Sequence, residues 1–263
     1  MVCEVQQVQH VKDRRKVSTI LGRLVKEGIL EKDPNRYGWY RRVDDDAETI
    51  DFMNAKTDPF PIKWPFEIED LVEVMPGNVI VIAGEVESGK TGFLLNVAKL
   101  NIKTHDIHFF SSEMGGSELR KRLKKFDDMV LSDWKPLKVK ARGGEFHDVI
   151  KPDALNIIDF LELHDEFYKV GAYLKKIHDK LNKGIAIVAI QKNPGRDEGL
   201  GGQRSMEVTR LYLSMSKEYP GGRLKIVKGK NWATDKNPNG LSIKYKVYQG
   251  CKFAPQGDWY RGE

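Results

Sequence analysis

Residues 84–91 read GEVESGKT, and this octapeptide limits the possible fold more than any other feature of the chain. A glycine-bracketed turn that closes on Lys and Thr has a physical role where a strand stops and a helix starts. Both flanks match. Val79, Ile80, Val81, Ile82 and Ala83 form a short apolar run rich in β-branched residues, as a buried strand requires. Residues 90–100 follow with helical spacing that puts Phe93, Leu94, Val97 and Leu100 on one face. Strand, loop and helix in this order aim a row of backbone N–H groups and a helix N-terminus at a polyphosphate. The Walker A pattern therefore nominates Gly84, Glu85, Val86, Glu87, Ser88, Gly89, Lys90 and Thr91 as nucleotide-binding residues. Lys90 would reach the β- and γ-phosphates, and the Thr91 hydroxyl would ligate Mg²⁺. ATP and Mg²⁺ are the expected cofactors.

The chain is long enough, at 263 residues with 40% hydrophobic content, for one α/β core and a small accessory domain. A net charge of +6 permits a nucleic-acid partner without requiring one. Cys3 and Cys251 are too few for a disulfide framework or a zinc site, so a reducing cytoplasm is expected. No stretch has the length of a transmembrane span, and the first residues lack a signal-peptide pattern. A membrane partner is not expected.

Composition divides the chain. Residues 44–65 are acidic and then proline-rich, without a sustained apolar period, and read as a linker between a domain over 1–43 and one over 66–263. Within the first, Val17, Ile20, Leu21, Leu24 and Val25 form the stripe of an amphipathic helix over 14–28, ended by Gly28. Val2, Val5 and Val8 mark a shorter helix before it, with a turn near His10–Asp13. A strand over 29–32, a turn over 33–36 and a returning strand over 38–43 complete the segment. This order resembles the latter part of a winged helix-turn-helix domain, with the recognition helix over 14–27 and Arg36, Arg41 and Arg42 on the wing. Contact with duplex DNA, binding of a protein partner and a vestigial half-domain all remain open readings of it.

Beyond the first loop, residues 106–114 form an apolar strand ending in Glu113, placed beside the loop-bearing strand as a general base for the attacking water. Residues 156–161 form a second buried strand, whose Asp159 would hold Mg²⁺. An amphipathic helix is expected over 165–183, stopped by Gly184, and a third apolar strand over 185–191 with Gln191 at its tip. Strand tips at the carboxyl edge of a parallel sheet are where ligands bind, so Gln191 is a candidate γ-phosphate sensor. Residues 127–155 have only a broken pattern.

In this order, P-loop, Glu113, Asp159 and Gln191 resemble the RecA-type ATPases, more narrowly the DnaB-type replicative helicases and related phage ATPases. Phe110-Ser111-Ser112-Glu113-Met114 and Ala189-Ile190-Gln191-Lys192-Asn193 carry much of that resemblance, with further phrases at 200–207, 210–215, 225–231 and 237–240. It covers roughly residues 66–253. The resemblance implies a three-layer α/β/α core with a mainly parallel sheet, assembled as a homo-oligomeric ring or filament in the cytoplasm of a bacterial or phage-infected cell. It also implies trans-acting residues, here Lys228 and Lys230, that reach a neighbouring subunit's γ-phosphate. Lys230 stands where the family more often has Arg, and lysine lacks the guanidinium fork. The glycine-rich loop 192–204 sits where such motors track single-stranded DNA, which nominates Lys192, Arg196 and Arg204 for phosphate contacts. It holds no aromatic for base stacking. The expected activity is an ATP-hydrolysing helicase or single-stranded DNA translocase in replication or recombination. The alternative is a nucleotide-switched DNA-binding initiator, helicase loader or regulator with slow turnover.

Overall fold

The computed structural model describes residues 11–44, 49–161 and 167–262. Val2, Val5 and Val8, expected on an early helix, lie outside the described residues, as do residues 45–48 of the acidic stretch and 165–166 of the helix expected over 165–183. The chain divides into two compact units, Met1–Lys56 and Thr57–Glu263.

In the first unit, α1 (Val11–Lys26) precedes a hairpin of β1 (Leu30–Lys32) and β2 (Tyr40–Arg42). The strands pair antiparallel, Leu30 opposite Arg42 and Lys32 opposite Tyr40. Gly28 takes φ +73°, and its N–H reaches the Val25 carbonyl at 3.1 Å, closing the helix in the left-handed region that glycine enters freely. The apolar stripe is present. Yet Val17, Leu21, Leu24 and Val25 are only half-covered, and no described residue of this unit is fully buried.

The second unit runs β3 (Val72–Glu73), β4 (Val79–Gly84), α2 (Lys90–Asn101), β5 (Ile107–Ser111), α3 (Gly116–Leu123), β6 (Lys138–Ala141), β7 (Leu155–Asp159), α4 (Val170–His178) and β8 (Ile185–Gln191). It continues with β9 (Thr209–Glu218), β10 (Gly221–Gly229), β11 (Asn231–Trp232), β12 (Leu241–Tyr248), β13 (Lys252–Pro255) and β14 (Tyr260–Arg261). One sheet has the order β13-β12-β10-β9-β4-β8-β7-β5-β6, with β14 also on β12; β3 and β11 pair separately. From β9 to β6 every pairing is parallel, whereas β10, β12, β13 and β14 add antiparallel.

Strands covered on both faces need apolar side chains at every position, which is why β4, β5, β7 and β8 read as continuous runs. Alternation along β4 assigns the faces. Ile80 and Ile82 pack with Phe93, Leu94 and Val97 of α2, while Val79, Val81 and Ala83 pack with Val170, Leu174 and Ile177 of α4. The result is the expected three-layer α/β/α core. Leu100 differs from expectation and is 45% exposed. Phe93 instead reaches a second apolar group, with its ring centroid 5.9 Å from Phe253 and 6.3 Å from Phe66.

Three boundaries differ from the sequence reading. Residues 60–65, expected in the linker, belong to the core. Ile62 and Trp64 are buried there, the Phe60 N–H binds the Val74 carbonyl at 2.7 Å, and the Asn101 amide holds both backbone groups of Lys63. Pro59, Pro61 and Pro65 break the periodicity that would have revealed this. The helix expected to reach 183 stops at His178, because the Asn182 and Gly184 N–H groups turn to the Pro152 carbonyl at the approach to β7. Residues 127–155, whose apolar pattern is broken, hold a short turn over Leu131–Trp134, the edge strand β6 and a second turn over Phe146–Asp148. No helix among the described residues is long and apolar enough to cross a membrane.

Candidate nucleotide site

The carboxyl ends of β4, β8 and β7 lie side by side, with Gly84 opposite Gln191. Above them opens a cleft of about 530 Å³, lined by the P-loop and by Glu113, Asp159 and Gln191. Loop shape comes from its glycines. A Cβ on Gly84 would lie 2.5 Å from Lys90 Cγ and 2.6 Å from Ser88 Oγ, so the Lys90 stem can fold across the strand end only if that residue has no side chain. Gly89 stands at φ +91° immediately before α2. The Lys90 ammonium donates to the carbonyls of Gly84 at 2.9 Å and Glu85 at 2.8 Å. Burial lowers its pKa, opposed by the charges of Asp159, Glu113 and Glu85. Val86 and Glu87 are exposed, Ser88 is buried, and the Ser88 carbonyl accepts the Tyr245 hydroxyl at 2.8 Å. Glu87 takes φ +61° and pairs with Lys217 at 2.8 Å.

The structure brings Thr91 and Asp159 together, the Thr91 hydroxyl donating to Asp159 Oδ1 at 3.1 Å. Asp159 is 5% exposed. Burial pushes its pKa up to about 6; the Thr91 hydrogen bond pulls the other way, and the Glu113 charge adds to the rise. A desolvated carboxylate beside a hydroxyl at the mouth of a P-loop fits Mg²⁺, whose charge would offset the cost of ionising Asp159. Among the described residues no group of three or more His, Cys, Asp or Glu could hold a metal. An ion here would therefore complete its shell from phosphates and water, as Mg²⁺ commonly does.

Glu113 reaches the cleft by a different route from the one expected. Its strand β5 is not beside β4, since β7 and β8 lie between them. The Ser112 N–H binds the Asp159 carbonyl at 3.0 Å, and the Met114 N–H binds Ser111 Oγ at 3.0 Å. These two bonds bracket Glu113 and hold it next to the end of β7. Gln191 borders both this cleft and a second, of about 850 Å³, lined by residues 192–202.

Lys192, expected to contact DNA phosphates, is unavailable to a strand. Its side chain is 0% exposed and its ammonium donates to the Arg196 carbonyl at 2.6 Å and Ser216 Oγ at 2.7 Å, with Glu85 Oε1 at 3.6 Å. Burial lowers its pKa, while Glu85 and Asp197 oppose the shift. Arg196 is exposed on the second cleft. Arg204 is exposed as well, and donates to the Tyr168 carbonyl at 3.0 Å.

No protein-family model matches the chain, and no curated protein sequence does. Solved structures do. A KaiC-like protein from the hyperthermophilic archaeon Pyrococcus horikoshii OT3 superimposes with a TM-score of 0.57 at 13% identity, over 76% of this chain and 99% of that one. The RadB recombinase superimposes with a TM-score of 0.51 at 11% identity, over 67% of this chain and 90% of that one. The core has a RecA-like P-loop fold.

On that RecA-like core, Lys228 and Lys230 fall at the end of β10, where Gly229 pairs with Leu211 near the start of β9. Because β9 runs parallel to β4, this is the edge of the sheet opposite the chain's own P-loop. Lys230 is exposed; Lys228 is half-buried, donates to the Met206 carbonyl, and has its pKa lowered by burial and by Lys230 and Arg210. In the first unit, Arg36 lies over the Trp39 ring at 5.0 Å, Arg41 pairs with Glu31, and Arg42 is exposed.

Sequence reasoning missed Arg122, Phe160, Val247 and Gly250, all of which line the P-loop cleft. Arg122 sits on α3 and binds Glu118 at 2.9 Å. Val247 and Gly250 come from the β12–β13 hairpin and carried no sequence signal.

Proposed function

We propose that the RecA-like core binds ATP with Mg²⁺ and hydrolyses it to drive movement along single-stranded DNA, as a helicase or translocase in replication or recombination. The supporting observation is the convergence of Lys90, Thr91, Asp159, Glu113 and Gln191 on one cleft at the carboxyl edge. Lys90 and the P-loop amides bind the β- and γ-phosphates. Thr91 and Asp159 would hold the cation, which would supply charge neutralisation for the phosphates. Glu113 orients the attacking water and accepts its proton. Gln191 borders both clefts, a position from which the γ-phosphate can be felt by the 192–204 segment. Lys228 and Lys230, on the edge away from their own P-loop, suit a role at a neighbouring copy's nucleotide in a ring or filament.

A second reading, a nucleotide-switched binder with slow turnover, is favoured by two observations. Lys192 is buried and Arg204 is engaged, which leaves the 192–204 segment few free cations for a strand. The first unit also holds a cleft of about 410 Å³ that offers a partner the basic and aromatic side chains of Lys32, Arg36, Tyr37 and Trp39 beside Asp33. Steady-state ATP hydrolysis with and without single-stranded DNA, using Lys90→Ala as the blank, separates the two. Stimulation of turnover that disappears in Lys90→Ala supports the motor. A slow rate indifferent to single strands sinks it and leaves the switched binder.

A further inference from the structure

We propose that Lys192 is a positioning residue through which the P-loop sets the conformation of the 192–201 segment. The inference rests on the nucleotide reading above. A buried ammonium persists only if it is paired, and the partners of this one belong to three different elements. Glu85 lies in the P-loop, Arg196 in the segment after β8, and Ser216 on β9.

Glu85 connects the two lysines. Its carbonyl accepts the Lys90 ammonium at 2.8 Å, and its carboxylate faces Lys192 at 3.6 Å and accepts the Lys217 N–H at 3.0 Å. The backbone adds a second tie, since the Lys192 N–H binds the Gly84 carbonyl at 3.1 Å. From the phosphate-binding lysine the contacts therefore run Lys90, Glu85, Lys192, Arg196. A polyphosphate in the cleft draws the Lys90 ammonium off the Glu85 carbonyl, which keeps only the Ser88 N–H at 3.2 Å, and this loosening lets the Glu85 carboxylate re-aim about its bond from the Lys217 N–H. The Lys192 ammonium follows the carboxylate and releases the Arg196 carbonyl. Other ties of the segment remain, Gly199 N–H to the Tyr212 hydroxyl at 2.8 Å, Leu200 N–H to the Gln191 carbonyl at 2.8 Å and Asp197 to Lys225 at 2.7 Å, and these act as its hinges. Arg196, exposed on the second cleft, moves with the segment.

A charge buried only to fill space would hold the segment equally with and without nucleotide, and that difference is measurable. Hydrogen–deuterium exchange is followed on the full chain with and without Mg²⁺ and a non-hydrolysable ATP analogue. In the wild type, the analogue should slow exchange over 84–91 and accelerate it over 193–201 by about fivefold or more. Lys192→Met should still show slowing over 84–91, but should exchange at the faster 193–201 rate with or without analogue. Glu85→Gln, which keeps the side-chain length and removes the charge, should loosen 193–201 in the same direction and keeps the test open should Lys192→Met not fold. Protection over 84–91 with unchanged or slower exchange over 193–201 in the wild type overturns the proposal. So does a wild-type response in Lys192→Met. No protection over 84–91 in the wild type overturns the nucleotide reading first, and the inference with it.

Discussion

Replacing Asp159 by Asn should make the nucleotide-free protein more stable while removing its use for a cation. The carboxyl is 5% exposed, and burial raises its pKa from the ordinary 3.8 to about 6. A folded-state value above the unfolded one means that ionisation opposes folding. The stability associated with this group is fully present below pH 3.8 and is lost as pH rises through about 6. Once Asp159 is ionised, the penalty amounts to about 3 kcal/mol. Asn has nearly the same size, keeps an oxygen for the Thr91 hydroxyl, and carries no charge. At pH 7.5 Asp159→Asn should therefore exceed the wild type by up to about 3 kcal/mol, and by about half that near pH 5. Urea unfolding of both proteins at the two pH values, without nucleotide, measures the difference. Saturating Mg²⁺–ADP should shrink or reverse the order, because the carboxylate then has its cation. An Asn variant that is less stable at pH 7.5, or a difference equal at both pH values, would refute the reasoning.

Gly84→Ala places a Cβ 2.5 Å from Lys90 Cγ; urea unfolding should report a loss of about 1–3 kcal/mol, together with weakened nucleotide binding by calorimetry. If the wild type binds single-stranded DNA through the second cleft, Arg196→Ala should lower that affinity and reduce the slope of log K against log salt by about 0.7 in a fluorescence titration. An unchanged slope would remove Arg196 from the strand-binding surface.

Much of the candidate site's placement was legible because it is built from local patterns. The P-loop, Asp159 and Gln191 each end an apolar run, and a run followed by a special residue can be read without knowing its neighbours. Strand order cannot. Glu113 was placed beside the P-loop strand, yet β8 and β7 intervene, because parallel strands are joined by crossovers whose landing place local sequence does not encode. Lys192 failed for a related reason. In one dimension it is a cation opening a glycine-rich stretch, and only the return of β9 beside β4 brings Ser216 close enough to enclose it. Ile62 and Trp64 looked like linker because the prolines around them erase any period, although both are core residues. The β12–β13 hairpin was invisible as part of the site, since Val247 and Gly250 reach the cleft from the far end of the chain.

The central claim, that this cleft performs chemistry on ATP with Glu113 as the base, is tested most directly by single-turnover hydrolysis with protein in excess over labelled ATP. Wild type and Glu113→Gln are compared at equal nucleotide occupancy. The geometry predicts that Glu113→Gln binds Mg²⁺–ATP and hydrolyses it about a hundredfold more slowly or worse. Hydrolysis by Glu113→Gln at the wild-type rate would contradict the account.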